Sequence, residues 1–181
     1  DYKTCLAYAR AGVRCTTHLF NAMSPLGSRE PGLVGATLDS GALSAGLIAD
    51  GIHVHHATIR SAVRAKQGPG KIFLVTDAMS CVGSDLTEFT LNGRTIYRRD
   101  KTLRLSDGTL AGADIDMASS IRVMVHKIGL TPERAISMAT SIPADVLKPH
   151  KHRGKIRPDG PRPIYMTETF EVMPLPDHPA A

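Results

Sequence analysis

The chain has 181 residues, a formal net charge of +5, 42% hydrophobic and 4% aromatic content, and no tryptophan. That length suits one domain or a piece of a larger one, and no run approaches the roughly 18 apolar residues of a membrane span. Scattered basic residues with so few aromatics lack the stacking platforms of a nucleic-acid binder, so the positive field better suits an anionic small substrate.

The opening, Asp1-Tyr2-Lys3-Thr4-Cys5, is neither a signal peptide nor an initiator methionine. It reads as mid-helix, and the chain is expected to begin inside a longer protein. Residues 2–12 carry Leu6, Ala7, Ala9 and Ala11 and stop at Gly12, the usual residue at a helix C-terminus. A strand is expected over Val13–His18. The Gly- and Pro-punctuated loop from Met23 to Gly35 is elaborate for a connector, and long ordered loops are usually functional. A helical stretch around Leu33–Ser40 leads to a strand over Ser44–Ala49. A helix over Ala57–Lys66 gathers Ile59, Ala62 and Val63 on one face and breaks at Gln67-Gly68-Pro69-Gly70. The continuous apolar run Ile72–Val75 suits a strand covered on both faces. This βαβα order with parallel strands predicts an α/β fold.

Beyond Asp77 the pattern changes. Glu88–Tyr97 alternates around Asn92-Gly93, the strongest short-range hairpin signal. A second turn at Ser106-Asp107-Gly108 precedes Thr109–Gly112. Two helices are expected, Met117–Ile128 closed by Gly129 and Thr131–Ala139 opened by Thr131-Pro132-Glu133. After Pro149 the chain is rich in proline and glycine, with one extended run over Ile164–Val172 and a frayed tail from Met173. Cys5, Cys15 and Cys81 lack any C-x-x-C spacing and suit free thiols in a reducing cytoplasm.

The C-terminal ends of parallel strands are where catalytic groups project. Here those ends carry His18, His53 and Asp77, which should converge on one rim. His18 stands where a metal ligand would stand, since neutral imidazole commonly binds zinc or iron; a histidine bonded at a buried strand terminus is the alternative. Asp77 suits a general base beside an activated water, or a helix N-cap. His53 suits a donor to substrate, whereas His55 and His56 read as the solvated first turn of a helix. Asn21-Ala22 with Arg29 looks like an anion site, because exposed backbone N–H groups and an arginine fork match phosphate oxygens; a plain surface arginine is the alternative. Thr109–Gly112 lets the backbone approach a ligand closely. No P-loop, G-x-G-x-x-G or Ser-His-Asp arrangement is visible.

Five motifs in order, Thr17–Met23, Arg29–Gly32, Ile48–His53, Leu74–Ala78 and Gly108–Gly112, resemble the C-terminal half of the N-acetylglucosamine-6-phosphate deacetylase family of the amidohydrolase superfamily. The resemblance covers residues 1 to about 145 and implies a metal-dependent (β/α)8 TIM barrel with a small β-sandwich domain built from both chain ends. Residues 1–147 would be the C-terminal portion of the barrel, 148–173 a return segment toward the small domain and 174–181 a disordered tail. The resemblance implies His18 as a metal ligand, Asp77 as the catalytic acid/base, and Asn21 and Ala22 at the sugar phosphate. It implies Arg29 reaching that phosphate across a homodimer interface, His53 on the sugar, and Leu110, Ala111 and Gly112 lining the pocket. The implied reaction hydrolyses the acetamide of N-acetylglucosamine 6-phosphate, with a divalent metal, zinc or iron, in the cytoplasm. The family's other metal ligands, a glutamate and a histidine, would precede Asp1, so an N-terminal half of the barrel is an expected partner. Where the family has a Gly-x-x-Ala-Asp stretch, this chain departs, reading Gly154-Lys155-Ile156-Arg157-Pro158-Asp159. Two other readings stand: an amidohydrolase acting on another acylated amino sugar or cyclic amide, and a non-catalytic sugar-phosphate-binding remnant or partner subunit.

Overall fold

Three parallel strands, β1 (Cys15–Thr16), β2 (Ser44–Ile48) and β3 (Ile72–Val75), pair in the order β1-β2-β3. They belong to a computed structural model that describes residues 1–147, 153–158, 160 and 163–174. Helices α1 (Tyr2–Arg10), α2 (Gly32–Asp39) and α3 (His56–Ala65) alternate with these strands, as the α/β reading requires. Asp1 caps α1 by accepting from the Thr4 amide at 2.7 Å. β2 is buried along Ala45–Ile48 with no alternation, the mark of a strand covered on both faces. β3 differs, with Ile72 and Leu74 buried and Phe73 and Val75 half-buried. Ile72 and Leu74 join the main core with Val34, Leu47, Ile59, Met124 and Met138. Val75 turns to the other face, onto Ile48, Ala113 and Ile115.

The chain then leaves for a four-stranded antiparallel sheet, β4 (Glu88–Leu91), β5 (Arg94–Arg99), β6 (Thr102–Arg104) and β7 (Leu110–Ala113), in sequential order. Asn92 and Gly93, at φ 51° and 74°, make the expected tight turn. The sheet has its own small core of Cys81, Ile96 and Leu103. β7 returns to the first sheet through a parallel bridge between Ala78 and Ala113. Helix α4 (Met117–Val123) follows, then a π-helical turn over Met124–Ile128 that ends on Gly129 at φ 86°. Helices α5 (Pro132–Ala139) and α6 (Ser141–Val146) complete the helical layer. A last hairpin, β8 (Ile164–Met166) with β9 (Val172–Pro174), docks on that layer through Phe170, which is 5% exposed.

Several expectations are corrected. The strand expected over Val13–His18 is only Cys15–Thr16, because the chain turns sharply at His18 (φ 32°) and the Leu19 amide reaches back to the Gly46 carbonyl at 2.8 Å. The single helix expected over Met117–Ile128 changes its winding at Met124. The extended run expected over Ile164–Val172 is a hairpin that reverses at residues 167–170, where the Thr167 amide donates to Glu171 O at 2.9 Å. Met173 and Pro174 extend β9 rather than starting the tail, and residues 175–181 of that tail lie outside the described residues.

Candidate active site

β1, β2 and β3 point the same way, so their C-terminal ends share one side of the sheet. After β2 the chain makes a tight turn at Asp50-Gly51-Ile52-His53. One oxygen of Asp50, Oδ1, accepts the amides of Ile52 and His53, each at 2.8 Å. The other, Oδ2, accepts from Nδ1 of His53 at 2.6 Å. Both side chains are nearly out of solvent, 6% exposed for Asp50 and 8% for His53. Burial pushes the Asp50 carboxyl up, yet the hydrogen bonds from His53 and the two amides outweigh it and hold it below its ordinary value. The Asp50 hydrogen bond holds His53 above the usual imidazole value against the opposing effect of burial. The charges of Asp50 and Asp77 add to that rise and Arg104 opposes it. His53 and Asp77, from two strand ends, therefore lie within electrostatic reach of each other. Arg104, at the end of β6, lies within electrostatic reach of the same ring.

Asp77 follows β3 with φ 53°, an exposed side chain and a backbone locked into the returning strand. The Ala113 amide donates to Asp77 O at 3.0 Å, and the Met79 amide donates to Ala113 O at 3.3 Å. Gly112, at φ 119°, lies flush against this turn: a Cβ there would stand 2.6 Å from Met79 Cγ and 3.4 Å from Asp77 O. Gly112 therefore sits beside the Asp77 rim. Ala111 packs instead on the Cys81–Ile96–Leu103 core of the inserted sheet. Successive strand side chains face opposite ways, so only Leu110 and Gly112 of this trio share a face.

The segment after β1 is strained. His18, Phe20 and Ala22 have φ of 32°, 79° and 50°, a region that non-glycine residues seldom adopt. Buried Leu19 anchors the segment, and Asn21 closes it by donating its amide to His18 O at 2.9 Å. Nδ1 of His18 lies 2.8 Å from the Thr17 carbonyl. A carbonyl only accepts, so Nδ1 carries the proton of this bond, and in the neutral ring the lone pair is on Nε2. Arg29 is exposed on the loop that follows. Its neighbour Glu30 pins that loop by accepting from the amides of Tyr2 at 2.8 Å and Gly32 at 2.9 Å, bonds that hold its carboxyl below the ordinary value. No hydrogen bond or ion pair joins His18 or Arg29 to Asp77 or His53 among the described residues.

His55 caps α3, accepting from the Ala57 amide at 3.2 Å. His56, expected in solvent, is half-buried, with Nε2 fully covered and without a hydrogen-bond partner among the described residues. The missing side chain of Gly51 makes that room, since a Cβ there would sit 2.5 Å from the His56 nitrogen. The pairing of Asp50 with His53 was not anticipated from the sequence, although an Asp-Gly turn with histidine three residues on is a readable signal for it. Nor was Arg104, whose place depends on how the inserted sheet folds back.

Among the described residues no three His, Cys, Asp or Glu side chains gather as a metal cluster. His18 suits one place in such a site, because its tautomer leaves Nε2 free to ligate. The described residues fit part of a metal site and do not complete one.

No family model matches the chain. It is 45% identical over 148 residues to the N-acetylgalactosamine-6-phosphate deacetylase of Shewanella sp., covering 82% of this chain and 37% of that one. It is 37% identical to a putative N-acetylgalactosamine-6-phosphate deacetylase of Escherichia coli K12, covering 78% of this chain and 83% of the relative. The crystal structure of N-acetylglucosamine-6-phosphate deacetylase from Pasteurella multocida superposes with a TM-score of 0.88 at 34% identity, over 94% of this chain and 45% of that one. An Asp-to-Ala mutant of the Mycobacterium smegmatis enzyme, in complex with N-acetyl-D-glucosamine-6-phosphate, superposes with a TM-score of 0.73 at 32% identity, over 81% of this chain and 39% of that one. The chain spans about two fifths of the Shewanella relative and under half of the Pasteurella enzyme. Through these likenesses in sequence and fold, the chain belongs to the N-acetylglucosamine/N-acetylgalactosamine-6-phosphate deacetylase family.

Proposed function

We propose that the chain is the C-terminal portion of an enzyme that hydrolyses the acetamide of N-acetylglucosamine 6-phosphate to glucosamine 6-phosphate and acetate. The observation that carries this reading is that Asp77, on its strained turn after β3, lies within electrostatic reach of the Asp50–His53 pair after β2. Asp77 takes the proton of the attacking water and returns it to the departing amine as the C–N bond breaks. His53 donates to the sugar. The Asn21–Ala22 backbone and Arg29 receive the phosphate, with Arg29 serving a second copy of the enzyme in a homodimer. Leu110 and Gly112 bound the pocket beside Asp77, and Ala111 contributes through its backbone.

A divalent metal, zinc or iron, supplies an activated water when bound. His18 would hold it through Nε2, together with ligands from strands that precede β1 in a complete (β/α)8 barrel. Residues 1–147 form the closing part of that barrel, and 148–173 would return toward a small β domain, with residues 148–152, 159, 161 and 162 of that segment outside the described residues. Three free cysteines support a cytoplasmic setting. No helix among the described residues is long and apolar enough to cross a membrane.

Acetate release from N-acetylglucosamine 6-phosphate tests this reading, measured on the chain joined to the N-terminal portion of the Shewanella relative. Turnover that is lost in the Asp77→Asn control supports it. Equal rates with and without that change would overturn it.

A further inference from the structure

We propose that Asp50 is a positioning residue of this site: held by the Ile52 and His53 amides, its carboxylate grips the His53 ring at Nδ1 and presents Nε2–H as a fixed, charge-assisted donor to a substrate oxygen. This inference rests on the reading of the site as one for an amino-sugar phosphate, and it assigns a task to Asp50, to which that reading gives none.

Division of labour between the two carboxylate oxygens carries it. Oδ1 is taken up by two backbone amides at 2.8 Å, so the carboxylate cannot swing away. Oδ2 is left to His53, at 2.6 Å. A pair this short, with both side chains under 10% exposed, is a charge-assisted bond screened little by water. Gly51, at φ 77°, lets the chain turn tightly enough for residues 50 and 53 to face each other. The His56 ring packs beneath that turn, in the space a side chain at Gly51 would fill. With Nδ1 committed to Asp50, Nε2 is the one ring nitrogen left for substrate.

The charge on the ring follows from what faces it. Asp50 on its own turn and Asp77 after β3 favour the imidazolium, and Arg104 from β6 disfavours it. The first two prevail, so Nε2 carries a proton to higher pH than in a free histidine. A cationic donor suits a hydroxyl or carbonyl oxygen of the acylated sugar.

The experiment uses the reconstituted enzyme and its Asp50→Asn and Asp50→Ser variants. The asparagine variant can keep the turn through one oxygen but offers His53 an amide donor in place of Oδ2. The serine variant keeps a short turn acceptor without the charge. Nitrogen-15 NMR of labelled histidines reads which ring nitrogen of His53 is protonated, and a pH profile reads kcat/KM. Wild-type enzyme should hold Nδ1 protonated through neutral pH. Both variants should lower the His53 titration midpoint, move the basic limb of kcat/KM to lower pH, and cut kcat/KM roughly 10- to 100-fold. Metal content should not change. A bare Nδ1 in wild-type enzyme, or a basic limb unmoved in variants that fold, overturns the role of Asp50. A wild-type enzyme that shows the grip yet releases no acetate overturns the functional reading instead.

Discussion

Asp77 combines an exposed carboxylate with a backbone bonded to β7 and held at positive φ. Such a residue can change protonation without moving, which is what proton transfer at a fixed centre needs. In the reconstituted enzyme, Asp77→Asn should leave folding and metal content intact, because the amide is nearly isosteric. It should still lower turnover by about 10²- to 10⁴-fold, since an amide cannot accept the proton of water. Near-normal turnover would remove Asp77 from the reaction. Arg29 is the opposite kind of residue, exposed on a loop whose fold is fixed by its neighbour Glu30. Arg29→Ala should therefore leave the loop in place and weaken phosphorylated substrate about tenfold or more, while sparing the unphosphorylated sugar. Competition between the two sugars measures this, and equal losses would mean that phosphate binds elsewhere.

At the scale of elements, the inserted sheet matters to the site through one contact line, where β7 lies against residues 77–79. Arg98 braces the same region. Its guanidinium pairs with Asp114 at 2.7 Å and donates to Ser84 O at 2.5 Å, so β5 ties down the chain that leaves Asp77. Gly112→Ala would place a methyl against Met79 on a backbone at φ 119°, which L side chains rarely adopt. It should cost about 1–3 kcal/mol of stability, read from a denaturant midpoint, and reduce turnover by shifting Asp77. A silent change would show that this contact line does not position the acid/base. Elements set by their own residues were legible in the sequence. Buried β2, the amphipathic α3 and the Asn92-Gly93 hairpin each carry a local signal. Elements set by distant neighbours were not. The reversal at residues 167–170 depends on Phe170 finding the helical layer, where Arg122 donates to its carbonyl at 3.2 Å. The early end of β1 depends on the pull of Gly46 O on Leu19. The site divides in the same way. His18, His53 and Asp77 could be read because strand ends are predictable, whereas Arg104 needed a folded sheet to bring it near.

For the molecule as a whole, β1 is the outer strand of the parallel sheet. It pairs with β2 and, among the described residues, with no strand on its other side. Beside it runs a groove of about 420 Å³ whose lining includes Tyr8, Val13, Cys15, His18, Leu33 and Leu43. An unpaired strand edge beside an apolar groove is an association hazard, and here it lies next to the proposed metal ligand. The chain alone is expected to self-associate, to release no acetate and to hold no metal tightly, since His18, the one metal ligand proposed here, falls short of the three protein ligands usual in catalytic zinc sites. An N-terminal portion supplied in trans should restore both properties. Metal analysis and acetate assay of the purified chain check this. One tightly held ion per chain with substantial turnover would show that no further ligands are needed.

The alternation of positive φ at His18, Phe20 and Ala22 would set directed evolution for heat resistance against the proposed grip on phosphate. Glycine adopts that backbone region without steric cost, so Ala22→Gly should relieve strain in the folded state. The same change widens what the loop can do when no phosphate is present. Ala22→Gly is expected to match or exceed the parent in thermal midpoint while binding phosphorylated sugar more weakly, a trade visible by calorimetry on one preparation. A library screened only for survival at high temperature would drift toward glycine at these positions and return sturdier proteins with looser grips.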